Sequence, residues 1–135
     1  MKVSNMSYDE KVYDLVKKGL DAASLRSKVI SNNIANVNTK GYKRYYVTFE
    51  DTLKDTMNKI ELEKSDDLHL DGKDKPVTIS VKQDTSTSMR EDGNNVDIEN
   101  EMTNQAANAL MYNALITQVN SKLSMTKYVI TSGGR

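Results

Sequence analysis

The side chains with the clearest chemical potential lie in one polar segment in the middle of the chain. The first, third and fifth positions of a calcium-binding loop pattern are occupied by Asp67, His69 and Asp71, and Gly72 occupies the sixth. The pattern fails at its twelfth position, where Thr78 replaces the glutamate that normally binds calcium through both oxygens. We therefore expect a flexible acidic loop here and no metal site.

No arrangement typical of an enzyme accompanies this segment. The chain has one histidine and no cysteine, and no serine lies in a nucleophile-elbow sequence. The sequence also contains no phosphate-binding loop and no dinucleotide-binding glycine string. Carboxylate pairs such as Glu61 and Glu63 lie in hydrophilic sequence that is typical of solvated charge. The sequence predicts a protein that is not an enzyme and has no catalytic, metal-binding or cofactor-binding residues.

One short patch has the composition of a nucleic-acid contact. Residues 40–46 interleave lysine and arginine with tyrosine, a combination that stacks bases and neutralises phosphates. However, the whole chain balances 19 basic against 19 acidic residues, whereas a nucleic-acid-binding domain normally carries a basic excess. We expect no nucleic-acid partner, and a solvated turn or a protein contact at this patch.

The composition favours one small domain with a sparse core. The chain has 135 residues, and about one in five is Leu, Ile, Val or Phe, which is close to the lower limit for a chain that folds alone. No apolar run is long enough for a signal peptide or a membrane span. We expect neither a cleaved leader nor a direct membrane span.

Two long amphipathic helices are predicted, one at each end of the chain. Residues 8–37 carry apolar and small side chains at seven-residue spacing, which indicates a long helix that needs a long partner. A second helix is predicted over residues 97–131, where one column of the same spacing contains Met102, Ala109, Ile116, Leu123 and Ile130. A neighbouring column contains Ile98, Tyr112 and Val119. We expect the two helices to pair through these columns.

The boundaries of the C-terminal helix are marked by capping signals. Asp97 is a good N-cap, and Glu99 and Glu101 in the first turn favour the positive end of the helix. Two glycines at 133 and 134 are expected to end it. Residues 102–121 contain no charged side chain but many amides and hydroxyls, so we expect protein neighbours on more than one side of this helix.

The middle of the chain reads as a small irregular or β module. Residues 49–60 predict a short amphipathic helix, because Phe49, Leu53, Met57 and Ile60 follow helical spacing. Residues 77–82 alternate apolar and polar side chains and predict a strand, and a second strand is possible before residues 92–93. The expected fold is mainly α, an antiparallel, coiled-coil-like pair of terminal helices (1–44 and 95–135) with an acidic middle module (45–94).

The most distinctive segment is residues 31–46, SNNIANVNTKGYKRYY. Asparagine and glycine tolerate left-handed backbone, so the segment suits a helix end that turns sharply at residues 38–41. That reading does not explain Asn32, Asn33 and Asn36, because asparagine is a poor residue for a helix interior. Hydrogen bonds between chains would explain them.

These residues resemble the N-terminal signature of bacterial flagellar rod and hook proteins. The resemblance rests on Arg26, on SNNIAN at residues 31–36, and on Asn38, Thr39, Gly41, Tyr42 and Lys43, with Lys40 as a departure where the family commonly has proline. The strings NNVDIENEM (94–102) and NALMYNALI (108–116) are similar to a proximal rod protein of this family. The expected interface and motif residues are Arg26, Asn32, Asn33, Ala35, Asn36, Asn38, Thr39, Gly41, Tyr42, Val96, Asp97, Glu99, Glu101, Met102, Ala109, Tyr112, Ile116, Val119 and Leu123.

The resemblance implies a structural subunit of the proximal flagellar rod that connects the membrane ring to the rod and transmits torque. The implied partners are copies of itself, other proximal rod proteins, the ring-to-rod adaptor protein and the flagellar export apparatus. The implied location is the periplasmic rod of the basal body, reached without a cleaved signal peptide. The rival interpretation is a coiled-coil adaptor or chaperone of a type III secretion system. Alone in solution, the terminal helices are expected to be partly disordered or loosely associated, since part of their apolar face is reserved for other subunits.

Overall fold

The mainly helical architecture predicted from the sequence is confirmed. A computed structural model describes residues 8–50, 53–54, 77–86 and 90–132. Two long helices, α1 (Tyr8–Ala35) and α2 (Ile98–Ser132), flank two short strands, β1 (Tyr45–Thr48) and β2 (Ser80–Gln83). The calcium-loop pattern at residues 67–72, the C-terminal glycines, Met57 and Ile60 lie outside the described residues.

The two helices pack side by side and run in opposite directions. Near the end of α1, Asn33 meets Glu101 at the start of α2, and further back Ala23 meets Asn108. Closer still to the start of α1, Gly19 lies beside Leu115, so that a Cβ at position 19 would come within 3.2 Å of a Leu115 methyl carbon. The small residue therefore allows the helices to approach closely at this level.

The register of α2 differs by one residue from the predicted column. The side chains that face α1 are spaced seven apart at Glu101, Asn108 and Leu115, and the buried residues of α2 within the described chain are the two polar ones. The predicted column lies on the next flank, where Met102 is 61% exposed and Leu123 is 51% exposed. The prediction followed the apolar side chains of α2 and therefore chose the wrong column, because the column that is buried against α1 carries polar side chains. We call Met102, Ala109, Ile116 and Leu123 the apolar stripe.

The small sheet is antiparallel, and β1 packs against α1. β1 pairs with β2 from Tyr45 opposite Gln83 to Thr48 opposite Ser80. The strand predicted over residues 77–82 therefore exists, displaced toward the C-terminus, but its partner is β1 and not the segment before residues 92–93. Residues 90–93 form a turn instead, and residues 87–89 lie outside the described chain. After β1, residues 50, 53 and 54 are helical, and the Leu53 N–H donates to the Phe49 carbonyl at 2.9 Å.

The apolar core lies where α1, β1 and the approach to α2 meet. Its buried side chains are Ala22, Ala23, Val29, Ile30, Val47, Phe49 and Val96. The core is sparse, as the composition predicted, and much of the contact between the elements is polar. The division of the chain into terminal and middle modules at residues 44 and 95 stays a prediction.

Candidate functional site

A buried polar cluster joins the two terminal motifs of the chain. We define the polar cluster as Asn33 from α1, Tyr42 and Arg44 from the segment before β1, Asn95 from the segment before α2, and Glu101 from the first turn of α2. The antiparallel helix pair brings the end of α1 beside the start of α2, and the turn after α1 leads directly into β1. Residues more than fifty positions apart therefore meet in one place.

Glu101 is the charged centre of the polar cluster and is only 1% exposed. Its Oε1 accepts a 2.5 Å hydrogen bond from Arg44 Nε, and its Oε2 accepts a 3.0 Å bond from Asn33 Nδ2. Arg44 also lies 3.8 Å from the Asp84 carboxylate. A buried carboxylate is tolerated when it is paired and hydrogen-bonded, and both conditions hold here.

Asn33 is fully buried, and its amide uses its complete hydrogen-bonding capacity inside the chain. Its Oδ1 accepts from the Tyr45 N–H at 3.0 Å and from the Tyr42 hydroxyl at 3.2 Å. Its Nδ2 donates to the Tyr45 carbonyl at 2.8 Å and to Glu101. The amide thus pairs with both backbone groups of Tyr45, as a neighbouring strand would. The expectation that Asn33 bonds between chains is wrong, because no atom of it is left to do so.

Two asparagines before α2 bind the turn that follows α1. Asn94 Nδ2 donates to the carbonyls of Asn36, Val37 and Thr39 at 2.9–3.0 Å, and its Oδ1 accepts from the Val96 N–H at 2.7 Å. These carbonyls follow α1, which ends at Ala35, so Asn94 holds the turn after the helix from a distant part of the chain. Asn95 Oδ1 accepts from the Arg44 N–H at 2.7 Å, which fixes the entry into β1.

Two glycines meet where the turn after α1 touches the turn before α2. The Gly41 N–H donates to the Asp92 carbonyl at 2.9 Å, and both Gly41 and Gly93 have positive φ, 71° and 84°. A Cβ on Gly93 would lie 3.5 Å from the Gly41 Cα. The sharp turn predicted at residues 38–41 is present, and glycine is required because positive φ disfavours other residues.

Burial raises the pKa of the Tyr42 hydroxyl, and nearby Tyr45 and Glu101 act in the same direction. The hydroxyl is therefore the protonated donor that the Asn33 oxygen requires. Tyr42 also packs edge-on against Tyr45, with ring centroids 6.0 Å apart. The aromatic pair covers one side of the polar cluster.

Arg26 makes a second connection between α1 and the segment after β1. Its Nη2 donates to both carboxylate oxygens of Glu50, at 2.8 and 2.6 Å, and its Nη1 contacts the Met111 sulfur at 3.8 Å. Burial raises the pKa of Glu50, but the hydrogen bonds and charge of Arg26, with backbone donors, outweigh it, so the pKa is lowered overall. Arg26 therefore ties α1, the turn after β1 and α2 together.

The predicted motif residues divide into buried and exposed groups. The structure brings Asn33, Tyr42 and Glu101 into the polar cluster and buries Val96 beside it. Asp97 caps α2 as predicted, because its Oδ1 accepts from the Glu99 N–H at 3.0 Å. The side chains that remain exposed are those of Asn32, Ala35, Asn38, Thr39, Asp97, Glu99, Met102, Ala109, Tyr112 and Leu123, and those that are half-buried are Arg26, Asn36, Ile116 and Val119.

Several residues of the site were not singled out from the sequence. Arg44 was read only as part of a basic patch, and Asn108 only as one amide among many. The helical phase of Asn108, seven residues after Glu101, was the available signal, since a buried polar column keeps the same spacing as an apolar one. Asn94 and Asn95 lay in the quoted motif but carried no assigned contact.

The described residues hold no group of three His, Asp or Glu side chains placed to bind a metal ion. Among the described helices, none is both long and apolar enough to cross a lipid bilayer. What the polar cluster can do is mechanical: it fixes the end of α1 relative to the start of α2 and to β1.

Comparison with known proteins places both motifs in one group. The sequence profile described as "Flagella basal body rod protein" matches residues 17–43. The flagellar basal body rod protein FlgB of Bacillus subtilis (strain 168) is 37% identical over 118 residues, covering 87% of this chain and 92% of the relative. FlgB of Borreliella burgdorferi is 38% identical over 119 residues, covering 82% of this chain and 87% of the relative. By contrast, the rod protein FlgG of Buchnera aphidicola from Schizaphis graminum is 54% identical over only 41 residues, which is 30% of this chain.

Proposed function

The chain belongs to the flagellar basal body rod protein family and is a FlgB-type structural subunit of the rod, and from this premise we propose that it works in the proximal rod, joining the membrane ring to the rod and transmitting torque. The observation that carries the proposal is the match to FlgB proteins over most of both chains. Matches to FlgG proteins cover only 41–43 residues, so the shared terminal signature alone does not account for the match to FlgB proteins.

The structure supports a mechanical role for the polar cluster. Torque passed along a rod loads each subunit across its length, so the two terminal helices must not slide past one another. Glu101, Arg44 and Asn33 bond α1 to α2 and β1, and Arg26 adds a second connection to Glu50. Hydrogen bonds have directional geometry, so they resist sliding more specifically than apolar contacts do.

The proposed partners are copies of this chain, other proximal rod proteins and the ring-to-rod adaptor protein. The exposed side chains of α2 support contact with several neighbours, because Leu110 is 73% exposed and residues 102–121 carry no charge. We further propose that the flagellar export apparatus delivers the chain to the periplasmic rod without a cleaved signal peptide. A coiled-coil adaptor or chaperone of a secretion system is not favoured, since the relatives are rod proteins.

The proposal is tested by deleting the gene in the source bacterium and restoring it from a plasmid. We expect the deletion strain to lose swimming in soft agar and to lack rods in purified basal bodies, and we expect the plasmid copy to restore both. Intact rods in the deletion strain would refute the assignment. If the deletion strain lacks rods but still accumulates other rod proteins in the cytoplasm, the defect is the missing subunit and not a general failure to synthesise rod proteins.

A further inference from the structure

The two-stranded sheet is held at one end by a side-chain amide from outside it. Beyond Tyr45 and Gln83, the next residues in register are Arg44 and Asp84, and the Asp84 N–H donates to the Arg44 carbonyl at 2.7 Å. The return bond of an antiparallel pair, from the Arg44 N–H to the Asp84 carbonyl, is replaced by Asn95. Its Oδ1 accepts from the Arg44 N–H at 2.7 Å, and its Nδ2 donates to the Asp84 carbonyl at 3.1 Å. We call this arrangement the Asn95 bridge.

The strand β2 has few other attachments. It packs mainly on β1, and the side chains of Val81, Lys82 and Gln83 are exposed. At the opposite end of the sheet, the hydroxyls of Thr48 and Ser80 share a 2.7 Å hydrogen bond, but both residues belong to the strands themselves. A two-stranded ribbon alone is only marginally stable in water. The pairing of β2 with β1 therefore depends on what holds the strand ends from outside.

The Asn95 bridge connects the sheet to the start of α2. Asn95 is 7% exposed and lies two residues before Asp97, whose carboxylate caps the helix. Between them, Val96 is buried in the apolar core. A short buried segment thus joins the cap of α2 to the pairing of the strands, so a movement of one is passed to the other.

The Arg44 side chain makes a second link over the same gap. Its Nε donates to Glu101 in the first turn of α2, and its Nη1 lies 3.8 Å from the Asp84 carboxylate. Hydrogen bonds from Ser86 lower the pKa of the Asp84 carboxyl, and together with the charges of Arg44 and Lys43 they outweigh burial, so the carboxylate stays ionised. Because both members of the Arg44–Asp84 pair are 28% exposed and far apart, this link is weaker than the Asn95 bridge.

We propose that the Asn95 bridge is a conformational coupling device, through which the docking of the start of α2 controls the pairing of β1 with β2. When the first turn of α2 is in place, Asn95 holds both strands. When that turn opens, the bridge is lost and β2 is released, whereas opening of β2 alone leaves α1 and α2 packed on each other. A contact at the exposed Glu99 that displaces this turn would thus loosen the sheet without separating the helices. The device is a property of the single chain and does not depend on the rod assignment.

Amide hydrogen exchange of the purified full-length chain, followed by NMR, tests this coupling. The Asp84 N–H reports on the strand ends, and the Glu101 N–H, which donates to the Asp97 carbonyl at 2.9 Å, reports on the first turn of α2. The Leu53 N–H, bonded to the Phe49 carbonyl, is the control reporter, which we expect to open independently of both. Asp97→Ala removes the cap of α2 and lies outside the sheet. We expect exchange at Asp84 and at Glu101 to accelerate about fivefold, with little change at Leu53.

The same substitution in an Asn95→Ala background tests the route of the coupling. Asn95→Ala should itself accelerate exchange at Asp84 by about tenfold, because two hydrogen bonds are lost. Adding Asp97→Ala should then accelerate exchange at Glu101 as before but leave Asp84 unchanged, since the bridge that couples them is gone. The matched control is Asn100→Ala, at an exposed asparagine in the first turn of α2, which should change all three rates by less than about twofold.

Three outcomes would overturn the proposal. The first is an unchanged Asp84 rate in the Asp97→Ala chain, and the second is an equal effect of Asp97→Ala on Asp84 with and without Asn95. The third is an equal acceleration of all three reporters, which would show a general loss of stability and no specific coupling. Should the Asn95→Ala chain fail to fold, the comparison of Asp84 with Leu53 in the Asp97→Ala chain decides alone, because that substitution removes a single cap.

Discussion

At the scale of single residues, Glu101 joins the end of α1 to the start of α2. Replacing it by alanine would leave Arg44 without its 2.5 Å partner and Asn33 without one acceptor. Arg44 is partly exposed and would keep Asp84 as a neighbour, so the main cost is that of donors left without an acceptor, about 1–3 kcal/mol. We expect Glu101→Ala to lower the free energy of unfolding by about this amount in urea titration, and Glu101→Gln to lower it less because an acceptor oxygen remains.

The matched control for this variant is Glu99→Ala, two positions earlier and exposed. It should change the free energy of unfolding by less than about 0.5 kcal/mol, as is usual for surface positions. Equal effects at positions 99 and 101 would show that the polar cluster does not hold the helices.

The ion pair of Arg26 and Glu50 gives a prediction about acid. The pKa of Glu50 is lowered below its ordinary value of 4.5, so the pair contributes stability above that pH, and this contribution is lost as pH falls through the folded pKa. The Glu50 side chain is 48% exposed, which limits the contribution to about 1 kcal/mol or less. We expect Glu50→Gln to reduce the difference in unfolding free energy between pH 7 and pH 3. An unchanged difference would contradict the assignment.

At the scale of elements, the start of α2 depends on one cap. The Asp97 carboxylate accepts from the Glu99 N–H at 3.0 Å and lies 3.4 Å from the Asn100 nitrogen. Loss of such a cap costs about 1 kcal/mol. We expect Asp97→Ala to destabilise the protein by that amount in chemical denaturation and Asp97→Asn to be nearly neutral, since asparagine caps equally well. A neutral Asp97→Ala would show that α2 starts without help from this side chain.

The far end of α2 should open more easily than its start. Tyr128, Val129 and Ile130 are 69%, 63% and 74% exposed, whereas Glu101 and Asn108 are buried. Opening free energy follows buried contact, so it should decrease along the helix. We expect amide hydrogen exchange of the isolated protein to be fastest over residues 123–132 and slowest near residues 101–111. Uniform exchange along α2 would contradict this gradient.

The sequence predicted the elements better than their contacts. The helices, the Asp97 cap and the turn at residues 38–41 were predictable, because each depends on local spacing or on a single side chain. β1 was missed because Tyr45 and Tyr46 followed basic residues and its partner β2 lies more than thirty positions away. The column of α2 that faces α1 was predicted one residue too late, because Glu101 and Asn108 are polar. Their hydrogen bonds to Arg44, Asn33 and Ala23 are evident only from the fold.

At the scale of the whole molecule, a substitution in the apolar stripe is expected to affect assembly and not folding. Ile116 is half-buried on that flank and lies away from the polar cluster. An aspartate there would place a charge in a surface that is dry once a neighbour covers it, which is costly without a partner. We expect Ile116→Asp to be synthesised and folded but to restore no more swimming than an empty plasmid in the deletion strain.

The control is Ile116→Ala, which shortens the side chain without a charge and should retain most of the swimming. Circular dichroism of both purified variants separates misfolding from failed incorporation. Full swimming by the Ile116→Asp strain would show that this part of α2 remains exposed to water in the rod.

The strand-like pairing of Asn33 with Tyr45 also protects the protein from its own copies. A two-stranded sheet presents backbone N–H and C=O groups on its outer edges, and such edges recruit strands from other molecules. At Tyr45 both groups are already bonded to one side-chain amide, which cannot extend into a further strand. Subunits that must meet in large numbers and join through helices are thereby prevented, at this position, from joining by β-aggregation.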